Sequence, residues 1–464
     1  MRRNLTADVA APLPTPIRPT EQHSLSVRLL GKDVVYSDNA MRANIIHTDL
    51  NPCGGAEQVA LGTIQALVEM NFDVELTTAR EPNISRLKYA FGAERVGRLF
   101  NKIKRINSLG MLPIDATGAS TKPGQDDEWR TRDYDININT HADMLPYFLP
   151  SFSIKNTIAY CHFPVAIDLI DSHDASYFAY LTNSKLIDEQ ISDDTEIRGR
   201  MWRELREHYL LMLENSLVIT NSNFSKEAIL TTLASENYAM LKPLIISPPV
   251  NVDEFRPALS SSEKSDHILV ISRVHPSKML ETAIRLASIL KRKKIGKGMI
   301  IAGNLMEDDP VAVKYYDGII DMIQKFEVSD YVTVETNAPL TRLETLLGKC
   351  KVYFHPLPGE PFGISIIEAM SAGLIAIVPD MGGHTEVVSK KYQFHTLIDA
   401  PAIISSALNA TQEERVRVSN SVAGFSLSRY LKDFQRVVRE TLAIPKMPST
   451  DPASPKDSWR PPPR

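Results

Sequence analysis

The sequence predicts an α/β protein with two Rossmann-like domains, each a parallel sheet covered by helices on both faces. Three observations predict this fold class. Short β-branched runs alternate with amphipathic helical stretches, which is the pattern of a doubly wound parallel sheet. The alternation occurs twice, on either side of the Pro248–Pro249 pair. With 464 residues and 43% hydrophobic content, the chain is long enough to bury two separate cores.

The first half is predicted to contribute five strands and one long helix. Its β-branched runs place the strands at Ala43–Thr48, Asp73–Thr77, Asp135–Asn139, Asn156–Tyr160 and Ser216–Thr220. A helix is expected from Ala56 to Met70, where apolar residues recur at helical spacing. A long polar loop, residues 108–132, interrupts this series.

The second half repeats the pattern, and a helical stretch follows each strand. The predicted strands are His267–Ser272, Gly298–Ala302, Tyr331–Glu335, Lys351–His355 and Ile375–Val378. The repeat therefore predicts a second parallel sheet.

These patterns also predict the domain boundaries. Residues 25–247 form the first domain and residues 248–427 the second, because a proline pair ends any preceding element and stiffens a linker. Residues 428–444 are expected to form a last helix that packs back on the body, with Tyr430, Phe434 and Val437 at helical spacing. The two ends, residues 1–24 and 445–464, are rich in proline and lack periodicity, which is typical of disordered tails.

The composition narrows the compartment and the partners. A net charge of -4 gives no global attraction to nucleic acid, so no such partner is expected. The three cysteines are far apart, which favours a reducing compartment over a disulfide framework or a zinc site. Neither a run of 18 apolar residues nor a secretory leader is found. We therefore expect a cytoplasmic protein whose contact with a membrane would be peripheral.

A pair of glutamates, Glu360 and Glu368, follows one predicted strand of the second half. The segment Glu360-Pro-Phe-Gly-Ile-Ser-Ile-Ile-Glu368 runs from a strand end into an apolar helix, at the sheet edge where ligands bind. Gly363 would let a phosphate approach free N–H groups at the helix start. Glu368 could then accept hydrogen bonds from ribose hydroxyls, and Glu360 from sugar hydroxyls. The alternative is that Glu360 only caps the helix and Glu368 is solvated.

Two cations follow another strand of the same half. Arg273 and Lys278 lie in Ser272-Arg-Val-His-Pro-Ser-Lys278, directly after a buried strand, so both can reach the same sheet edge. A guanidinium binds a diphosphate through two parallel hydrogen bonds, and an ammonium acts as a mobile point charge. Together they would stabilise a leaving nucleoside diphosphate.

Two double-glycine loops follow strands in the two halves. Gly54 and Gly55 follow the first strand, and Gly382 and Gly383 follow the last. Each pair is expected to adopt backbone angles closed to other residues and to let a phosphate or sugar come close; the alternative is an ordinary tight turn. Neither loop has GxGxxG spacing, which argues against a nicotinamide cofactor.

Two histidines end strands of the first half, and no metal site is predicted. His141 and His162 could each face the cleft and bind a sugar or acceptor hydroxyl, although a lone histidine is as often a packed or capping residue. No Asp-x-Asp pair ends a strand and no His/Cys/Asp cluster has ligand spacing. We therefore expect neither a catalytic metal nor another cofactor.

One basic stretch bears on membrane contact. Seven basic residues and one acid lie between Arg86 and Arg105, beside an apolar row of Val96, Leu99, Ile103 and Ile106 at helical spacing. An amphipathic basic stretch of this kind would be attracted to an anionic bilayer surface. The alternative is a solvated helix face packed on its own domain.

Five motifs in order resemble glycosyltransferase family 4 over residues 42–442. They are GGAE at 54–57, TNSNFSKEAI at 220–229, PPVNVDEF at 248–255, SRVHPSK at 272–278 and EPFGISIIEAMSAG at 360–373. The resemblance implies the GT-B fold, in which two Rossmann-like domains face each other across a cleft. It also implies hexose transfer with retention of configuration, an acceptor bound by the first domain and a nucleotide-sugar donor bound by the second.

The resemblance further assigns expected roles to individual residues. It implies that Arg273 and Lys278 contact the diphosphate, that Glu368 contacts the ribose, and that His141 lies near the sugar. Glu360 would be the fourth residue of the reacting site. The other expected donor contacts are Gly54, Gly55, Phe362, Gly363 and Ile364, and His162 is expected on the acceptor side.

Two segments narrow the resemblance to one group of enzymes. AYCHFP at 159–164 and HPLPGEPFGISIIEAMSAGLI at 355–375 are similar to the mannosyltransferases that extend lipid-diphosphate oligosaccharides in asparagine-linked glycosylation. GDP-mannose is therefore the preferred donor, with a UDP-sugar as the other option, and the acceptor would be a glycan or a lipid-linked glycan. A sugar-nucleotide 2-epimerase of the same fold and a non-catalytic nucleotide-sugar-binding subunit remain alternatives.

Overall fold

A computed structural model describes residues 40–112, 114–120, 134–144, 156–188, 190–191, 194–234, 242–262 and 264–443. The two predicted tails lie outside this range, as does most of the predicted polar loop at 108–132. No helix in the described part of the chain is long and apolar enough to cross a bilayer.

The first sheet holds seven parallel strands within the described residues. They are β1 (Arg42–Ile46), β2 (Asp73–Thr78), β3 (Ile103–Ser108), β4 (Ile136–Asn139), β5 (Thr157–Tyr160), β6 (Leu217–Thr220) and β7 (Leu244–Ile245). Their order across the sheet is β3-β2-β1-β4-β5-β6-β7. All neighbouring pairs are parallel.

The second sheet holds six parallel strands, counted in the same way. They are β8 (Ser265–Ile271), β9 (Gly298–Gly303), β10 (Val332–Thr336), β11 (Cys350–Phe354), β12 (Ile375–Pro379) and β13 (Gln393–Phe394). Their order is β10-β9-β8-β11-β12-β13, again all parallel. The predicted fold class, two doubly wound parallel sheets, is confirmed.

Helices cover both sheets. Those that connect the first sheet's strands are α1 (Gly55–Glu69), α2 (Ile84–Phe91), α3 (Ala93–Phe100), α4 (Val165–Asp171), α5 (Ala175–Asn183), α6 (Thr195–Glu214) and α7 (Asn223–Ala234). Those of the second half are α8 (Val252–Phe255), α9 (Leu280–Arg292), α10 (Pro310–Lys325), α11 (Leu340–Lys349), α12 (Ile364–Ser371), α13 (Ala400–Leu408) and α14 (Gln412–Ser421).

Local chemistry explains where two of the helices begin. Asp309 accepts a hydrogen bond from the backbone N–H of Val311 at 2.9 Å, and Pro310 occupies the first position of α10. Asp174 caps α5 by accepting from the N–H of Tyr177 at 2.8 Å. Such caps satisfy N–H groups that have no partner inside the helix.

The last helix returns to the first half of the molecule. Helix α15 (Leu427–Ala443) packs along α1, and the Tyr430 hydroxyl lies 2.8 Å from Thr63 Oγ1. Gln435 also donates to the carbonyl of Ala66 at 3.3 Å. The chain therefore crosses between the two sheets twice, once near residue 250 and once before Leu427.

The ten predicted strands and the predicted first and last helices agree with the structure to within three residues. Three further strands, β3, β7 and β13, were not predicted. Strand β3 also corrects the prediction for the basic stretch. Residues 86–105 form the end of α2, all of α3 and the start of β3 instead of a single amphipathic helix.

The apolar row of that stretch therefore divides between two elements. Val96 and Leu99 are buried from α3, whereas Ile106 is 42% exposed on the edge strand. Arg86 contacts other parts of the protein: its Nε–H donates to the carbonyl of Asn51 at 2.7 Å, and its Nη2 lies 3.0 Å from Met306 Sδ.

Candidate active site

Four of the predicted site residues follow strands at the switch points of the two sheets. In each sheet the order of connections reverses between two neighbouring strands, β1 and β4 in the first sheet and β8 and β11 in the second. Ligands of doubly wound sheets bind outside the carboxyl ends of such strands. The loop with Gly54 follows β1, His141 follows β4, Arg273 follows β8 and Glu360 follows β11.

An ion pair joins two predicted residues of the second sheet. Lys278 Nζ donates to Glu360 Oε2 at 2.9 Å, and the side chains are 22% and 15% exposed. His355 Nε2 lies 3.6 Å from the same oxygen. Burial alone would raise the pKa of Glu360, but the Lys278 ammonium and the His355 ring more than offset it and hold that pKa well below its usual range. Glu360 is therefore a fixed carboxylate at neutral pH.

The second double-glycine loop holds the backbone of Glu360 in place. The N–H of Gly383 donates to the Glu360 carbonyl at 2.9 Å, and a Cβ at Gly383 would lie only 1.8 Å from the Pro361 carbonyl oxygen. Gly382 has φ +136°, in the region that favours glycine. The buried ring of His384 donates from Nε2 to the Pro379 carbonyl at 2.8 Å. A single 3-10 turn, Gly383–Glu386, stands where the sequence predicted a helical stretch.

Gly363 begins α12 with left-handed backbone, φ +90°. The side chain of Phe362 is 5% exposed and packs edge-on against Phe425 at 5.5 Å between ring centroids, so only its backbone can meet a ligand. The side chain of Ile364 reaches across to the first half, where a Cβ at Gly55 would lie 3.0 Å from its Cδ1. The start of α12 and the start of α1 therefore meet.

Glu368 is a partly buried carboxylate on α12 with no hydrogen-bond or ion-pair partner among the described residues. Burial raises its pKa to about 8, and the negative charge of Glu254 adds to the effect. A carboxyl group in this state is an available hydrogen-bonding group, and it lies on the helix that Gly363 begins.

The Gly54–Gly55 loop corrects one prediction. Gly54 has φ -106° and ψ -158°, which is extended backbone open to other residues, and the positive φ of this loop, +54°, belongs to Cys53. What requires glycine is close approach: a Cβ at Gly54 would lie 3.0 Å from Glu57 Oε2 and 3.7 Å from Arg273 Nε. The exposed Arg273 therefore extends across the first loop from the second half.

Glu57 links this loop to a buried histidine. Its carboxylate accepts from the N–H of Gly54 and lies 3.6 Å from His47 Nε2, and both residues are less than 5% exposed. Burial alone would raise the pKa of Glu57, but the His47 ring and the Arg273 charge outweigh it and lower that pKa to about 2. His47 Nδ1 in turn lies 3.0 Å from Thr140 Oγ1.

His141 stacks on His47, with ring centroids 4.9 Å apart and an interplanar angle of 14°. Its Nδ1 lies 3.1 Å from Thr48 Oγ1. Burial lowers the pKa of His141 to about 4, against the opposing charge of Asp143, so its ring is neutral near pH 7.

His162 is held in a different way. Its Nε2 lies 3.3 Å from the Thr140 carbonyl, its own carbonyl accepts from Asn221 Nδ2 at 2.9 Å, and its ring packs against Tyr160. These contacts engage His162 with the protein's own backbone. Among the described residues, no three His, Cys, Asp or Glu side chains lie close enough to share a metal ion.

Direct hydrogen bonds join the two halves beside the site. Ser222 Oγ donates to the Pro361 carbonyl at 2.7 Å. The Glu386 carboxylate accepts from the backbone N–H groups of Asn223 and Phe224, at 3.2 and 2.8 Å. A carboxylate of the second half therefore caps α7 of the first half, where the helix dipole favours negative charge.

Several site residues were not predicted from the sequence. His355 and His384 come from the second sheet, and His47 and Thr48 from the first. Glu57 lies in the GGAE motif at 54–57, where only the two glycines are predicted to contact a ligand. A signal for Glu57 is available, because an acid at the third position of a helix can accept a hydrogen bond from the backbone N–H of the N-cap residue.

The sequence of residues 251–410, which includes the second sheet, matches the family described as glycosyl transferases group 1. The matched residues include the Lys278–Glu360 pair, Arg273 and Glu368.

Two mannosyltransferases are similar to this chain over a part that is longer than residues 251–410. A GDP-Man:Man(3)GlcNAc(2)-PP-Dol alpha-1,2-mannosyltransferase of Caenorhabditis elegans is 22% identical over 307 residues, which is 64% of this chain and 62% of the relative. The human alpha-1,3/1,6-mannosyltransferase ALG2 is 22% identical over 320 residues, covering 64% and 71% of the two chains. The match thus spans less than two thirds of the C. elegans relative.

Solved structures share the fold over most of the chain. Anabaena Alr3699/HepE, solved in complex with UDP, has a TM-score of 0.57 at 14% identity and covers 87% of this chain and 99% of that one. WaaG, a glycosyltransferase of lipopolysaccharide biosynthesis, has a TM-score of 0.51 at 11% identity and covers 87% and 100%. The two parallel sheets thus have the GT-B fold, as the sequence resemblance implied.

Proposed function

We propose that this protein is a retaining, metal-independent glycosyltransferase. It moves a hexose from a nucleotide-sugar donor to a glycan or lipid-linked acceptor. The observation that carries the proposal is the position of the Lys278–Glu360 pair and Glu368, which surround the start of α12 opposite the Gly54–Gly55 loop. The match of the second domain to glycosyl transferases group 1 supports it.

In this proposal the donor diphosphate lies between the two domains. Arg273 and Lys278 bind its oxygens, and the free N–H groups at the start of α12 add a positive helix end. Glu368 binds the ribose hydroxyls, and Glu360 binds a sugar hydroxyl while it holds Lys278 in place. The close approach allowed by Gly54 and Gly55 brings the first domain against the same phosphates.

The reaction then requires stabilisation of a leaving nucleoside diphosphate. As the bond between the sugar and the diphosphate breaks, negative charge grows on the phosphate that Arg273 and Lys278 contact, which lowers the barrier. The departing phosphate accepts the proton of the attacking acceptor hydroxyl on the same face of the sugar. His141, neutral at pH 7, acts as a hydrogen-bonding group near the sugar and not as a cation.

GDP-mannose is the donor that we prefer. The names of the matching mannosyltransferases specify GDP-Man as their donor, whereas Anabaena Alr3699/HepE was solved in complex with UDP. The same relatives suggest a lipid-linked oligosaccharide as the acceptor, and we propose a cytoplasmic protein that meets this acceptor at a membrane surface.

The proposal is tested by ligand-dependent thermal stability. GDP-mannose, a UDP-sugar and an ADP-sugar are each added to the wild type, to Glu368→Gln, and to Glu344→Gln as a carboxylate control on α11. A donor that binds only the folded state at about 100 times its Kd adds about 2.7 kcal/mol of stability. We expect GDP-mannose to raise Tm of the wild type and of the control but not of Glu368→Gln.

The other outcomes separate the alternatives. A shift with UDP-sugars alone would retain the transferase and reject mannose. Conversion of a nucleotide sugar to its 2-epimer without an acceptor would favour the epimerase. The absence of any shift would contradict donor binding and favour a non-catalytic subunit that recognises another ligand.

A further inference from the structure

Two buried polar atoms near the carboxyl edge of the first sheet have no hydrogen-bond partner among the described residues. They are Asp143 Oδ1 and Tyr180 Oη. Buried polar groups in proteins are nearly always paired, so a carboxylate oxygen and a phenol left unpaired in one region require an explanation. Neither residue carries a role in the proposed donor site.

The chain around Asp143 is fixed from several sides. The N–H of Ala142 donates to the Tyr160 carbonyl at 3.2 Å, and the N–H of Ala166 donates to the Asp143 carbonyl at 3.0 Å. The Tyr177 hydroxyl donates to the carbonyl of Met144, the next residue, at 2.8 Å. The backbone therefore leaves the Asp143 side chain little freedom to find another donor.

Tyr180 is fixed in a similar way by its helix. It lies three residues after Tyr177 on α5, on the same side of the helix, and the two rings stack at 5.9 Å with an interplanar angle of 13°. Asp174 caps this helix. Because Tyr177 anchors α5 to Met144, the hydroxyl of Tyr180 is held near the segment that carries Asp143.

The surroundings of Tyr180 connect it to the candidate active site. Burial raises the pKa of Tyr180 well above its ordinary value; an interaction of its hydroxyl with the Thr48 side chain opposes this rise, and the charges of Asp143 and Asp49 add to it. Thr48 is also the hydroxyl beside His141 Nδ1, at 3.1 Å. Asp143 interacts electrostatically with His141, so each of the two unpaired groups interacts with one member of the His141–Thr48 contact.

We propose that Asp143 and Tyr180 form a subsite for hydroxyl groups of a carbohydrate acceptor. The inference rests on the proposed function and extends it to residues of the first domain. A carboxylate accepts hydrogen bonds from sugar hydroxyls, and a phenol donates one and accepts another. A site built to pair its buried polar groups with substrate hydroxyls rejects analogues that lack them.

The first test measures stability without any acceptor. Tyr180→Phe removes a hydroxyl that has no internal partner, so Tm is expected to stay unchanged or to rise. Tyr177→Phe is the matched control on the same helix, and it should lower Tm because the Met144 carbonyl loses its donor. A fall in Tm for Tyr180→Phe as large as that for Tyr177→Phe would overturn the proposal, because it would mean that the hydroxyl is already paired, by protein or by water.

The second test separates acceptor binding from donor chemistry. The probe is a labelled Man3GlcNAc2 diphosphate of a short isoprenoid alcohol, used with GDP-mannose. Asp143→Asn and Tyr180→Phe should each raise KM for this acceptor about tenfold or more, whereas slow hydrolysis of GDP-mannose without acceptor should stay within about twofold of the wild type. Tyr89→Phe, an exposed tyrosine on α2, should change neither quantity.

The two tests distinguish failure of the subsite from failure of the proposed function. An unchanged acceptor KM in both variants would overturn the subsite while the transferase stands. If the wild type neither binds nor hydrolyses GDP-mannose, the proposed donor fails, and the Tm comparison of the two tyrosine variants still decides whether the Tyr180 hydroxyl is unpaired. Equal loss of hydrolysis and transfer in Asp143→Asn would also contradict an acceptor-only role.

Discussion

Lys278 Nζ lies 2.9 Å from Glu360 Oε2, although 82 residues separate them in the chain. Lys278 follows β8 and Glu360 follows β11, which are neighbours in the second sheet. Parallel strands bring loops that are distant in sequence to one edge. The pair therefore places a cation beside a carboxylate at the start of α12, the arrangement on which the proposed donor site depends.

Removal of the Lys278 charge should impair both stability and turnover. Lys278→Met removes the ammonium that is paired with the Glu360 carboxylate, and we expect a loss of about 1–3 kcal/mol in the free energy of unfolding. The proposed role in stabilising the leaving phosphate predicts a fall in kcat of about 100-fold or more. Denaturant unfolding and donor turnover measure the two effects.

The control for that variant is Lys351→Met. Lys351 also forms an ion pair at 2.7 Å, with Asp266, but at a partly exposed position near the start of β8, away from the site. Its kcat should remain within about twofold of the wild type, because Lys351 lies away from the site. Its free energy of unfolding should fall by only about 0–1 kcal/mol, because exposed ion pairs contribute little to stability. Equal kcat values for Lys278→Met and Lys351→Met would reject a role for Lys278 in the reaction.

Glu57→Gln should lose stability in a way that depends on pH. The amide keeps an oxygen for the Gly54 N–H but removes the charge that faces His47 and Arg273. Because the folded state lowers the pKa of Glu57 to about 2 from 4.5, its charge stabilises the protein above about pH 4.5 and less as pH falls toward 2. The Tm difference between wild type and variant should therefore shrink from pH 6 to pH 3.5.

Glu69→Gln on the same helix serves as the comparison, since Glu69 is exposed and makes only surface contacts with Gln65 and Gln435. Its Tm difference should be small at every pH. A constant Tm difference for Glu57→Gln across this range would mean that the carboxylate acts only as a helix cap.

The stability contributed by Glu368 should depend on pH in the direction opposite to that of Glu57. Burial and the charge of Glu254 raise its folded pKa to about 8 from 4.5, so the folded state holds the proton more tightly than the unfolded state does. Stability is then lost as pH rises from about 4.5 to about 8. Glu368→Gln cannot ionise, and its Tm should exceed that of the wild type by more at pH 8.5 than at pH 5.

The same group predicts a proton effect on donor binding. Ribose hydroxyls that donate to an ionised Glu368 favour the charged form, so binding of a nucleotide sugar near pH 7 should release protons. Calorimetry in two buffers of different ionisation enthalpy measures the number released, and Glu368→Gln should release fewer. Equal proton release by the two proteins would place the ribose away from Glu368.

Gly383→Ala should destabilise the protein strongly, whereas Gly424→Ala should have little effect on stability. A Cβ at Gly383 would lie 1.8 Å from the backbone oxygen of Pro361, so the Glu360–Pro361 segment must move. We expect a loss of about 2 kcal/mol or more together with weaker donor binding. Gly424→Ala is the control, because a Cβ there meets no atom within 4 Å; similar melting temperatures for the two variants would show that the segment is free to shift.

Most of the strands could be predicted from the sequence because buried parallel strands are near-continuous apolar runs. It did not reveal β3, whose residues Ile-Lys-Arg-Ile-Asn-Ser are mostly exposed because the strand lies at the sheet edge. The spacing of Val96, Leu99, Ile103 and Ile106 fitted a helix, yet Gly92 separates two short helices and β3 begins at Ile103. Two-residue strands such as β7 and β13 carry no periodicity at all.

Some features of the candidate site could be predicted from the sequence, and others could not. Residues at strand ends, such as Arg273 and Glu360, could be predicted because the sheet edge collects them. Contacts between the halves could not, since the approach of Ile364 to Gly55 depends on how the two sheets meet. The stacking of His47 on His141 depends on the pairing of β1 with β4, and a histidine inside a buried strand gives no indication of its partner.

Analysis of the product's anomeric configuration tests the central claim most directly. GDP-α-mannose and the labelled Man3GlcNAc2 lipid diphosphate are incubated with the wild type, and the new linkage is assigned by NMR, with Lys278→Met as the inactive comparison. We expect an α-mannosyl product from the wild type and at most a trace from the variant. A β-linked product, a nucleotide sugar changed only at C2, or equal product from both proteins would contradict it.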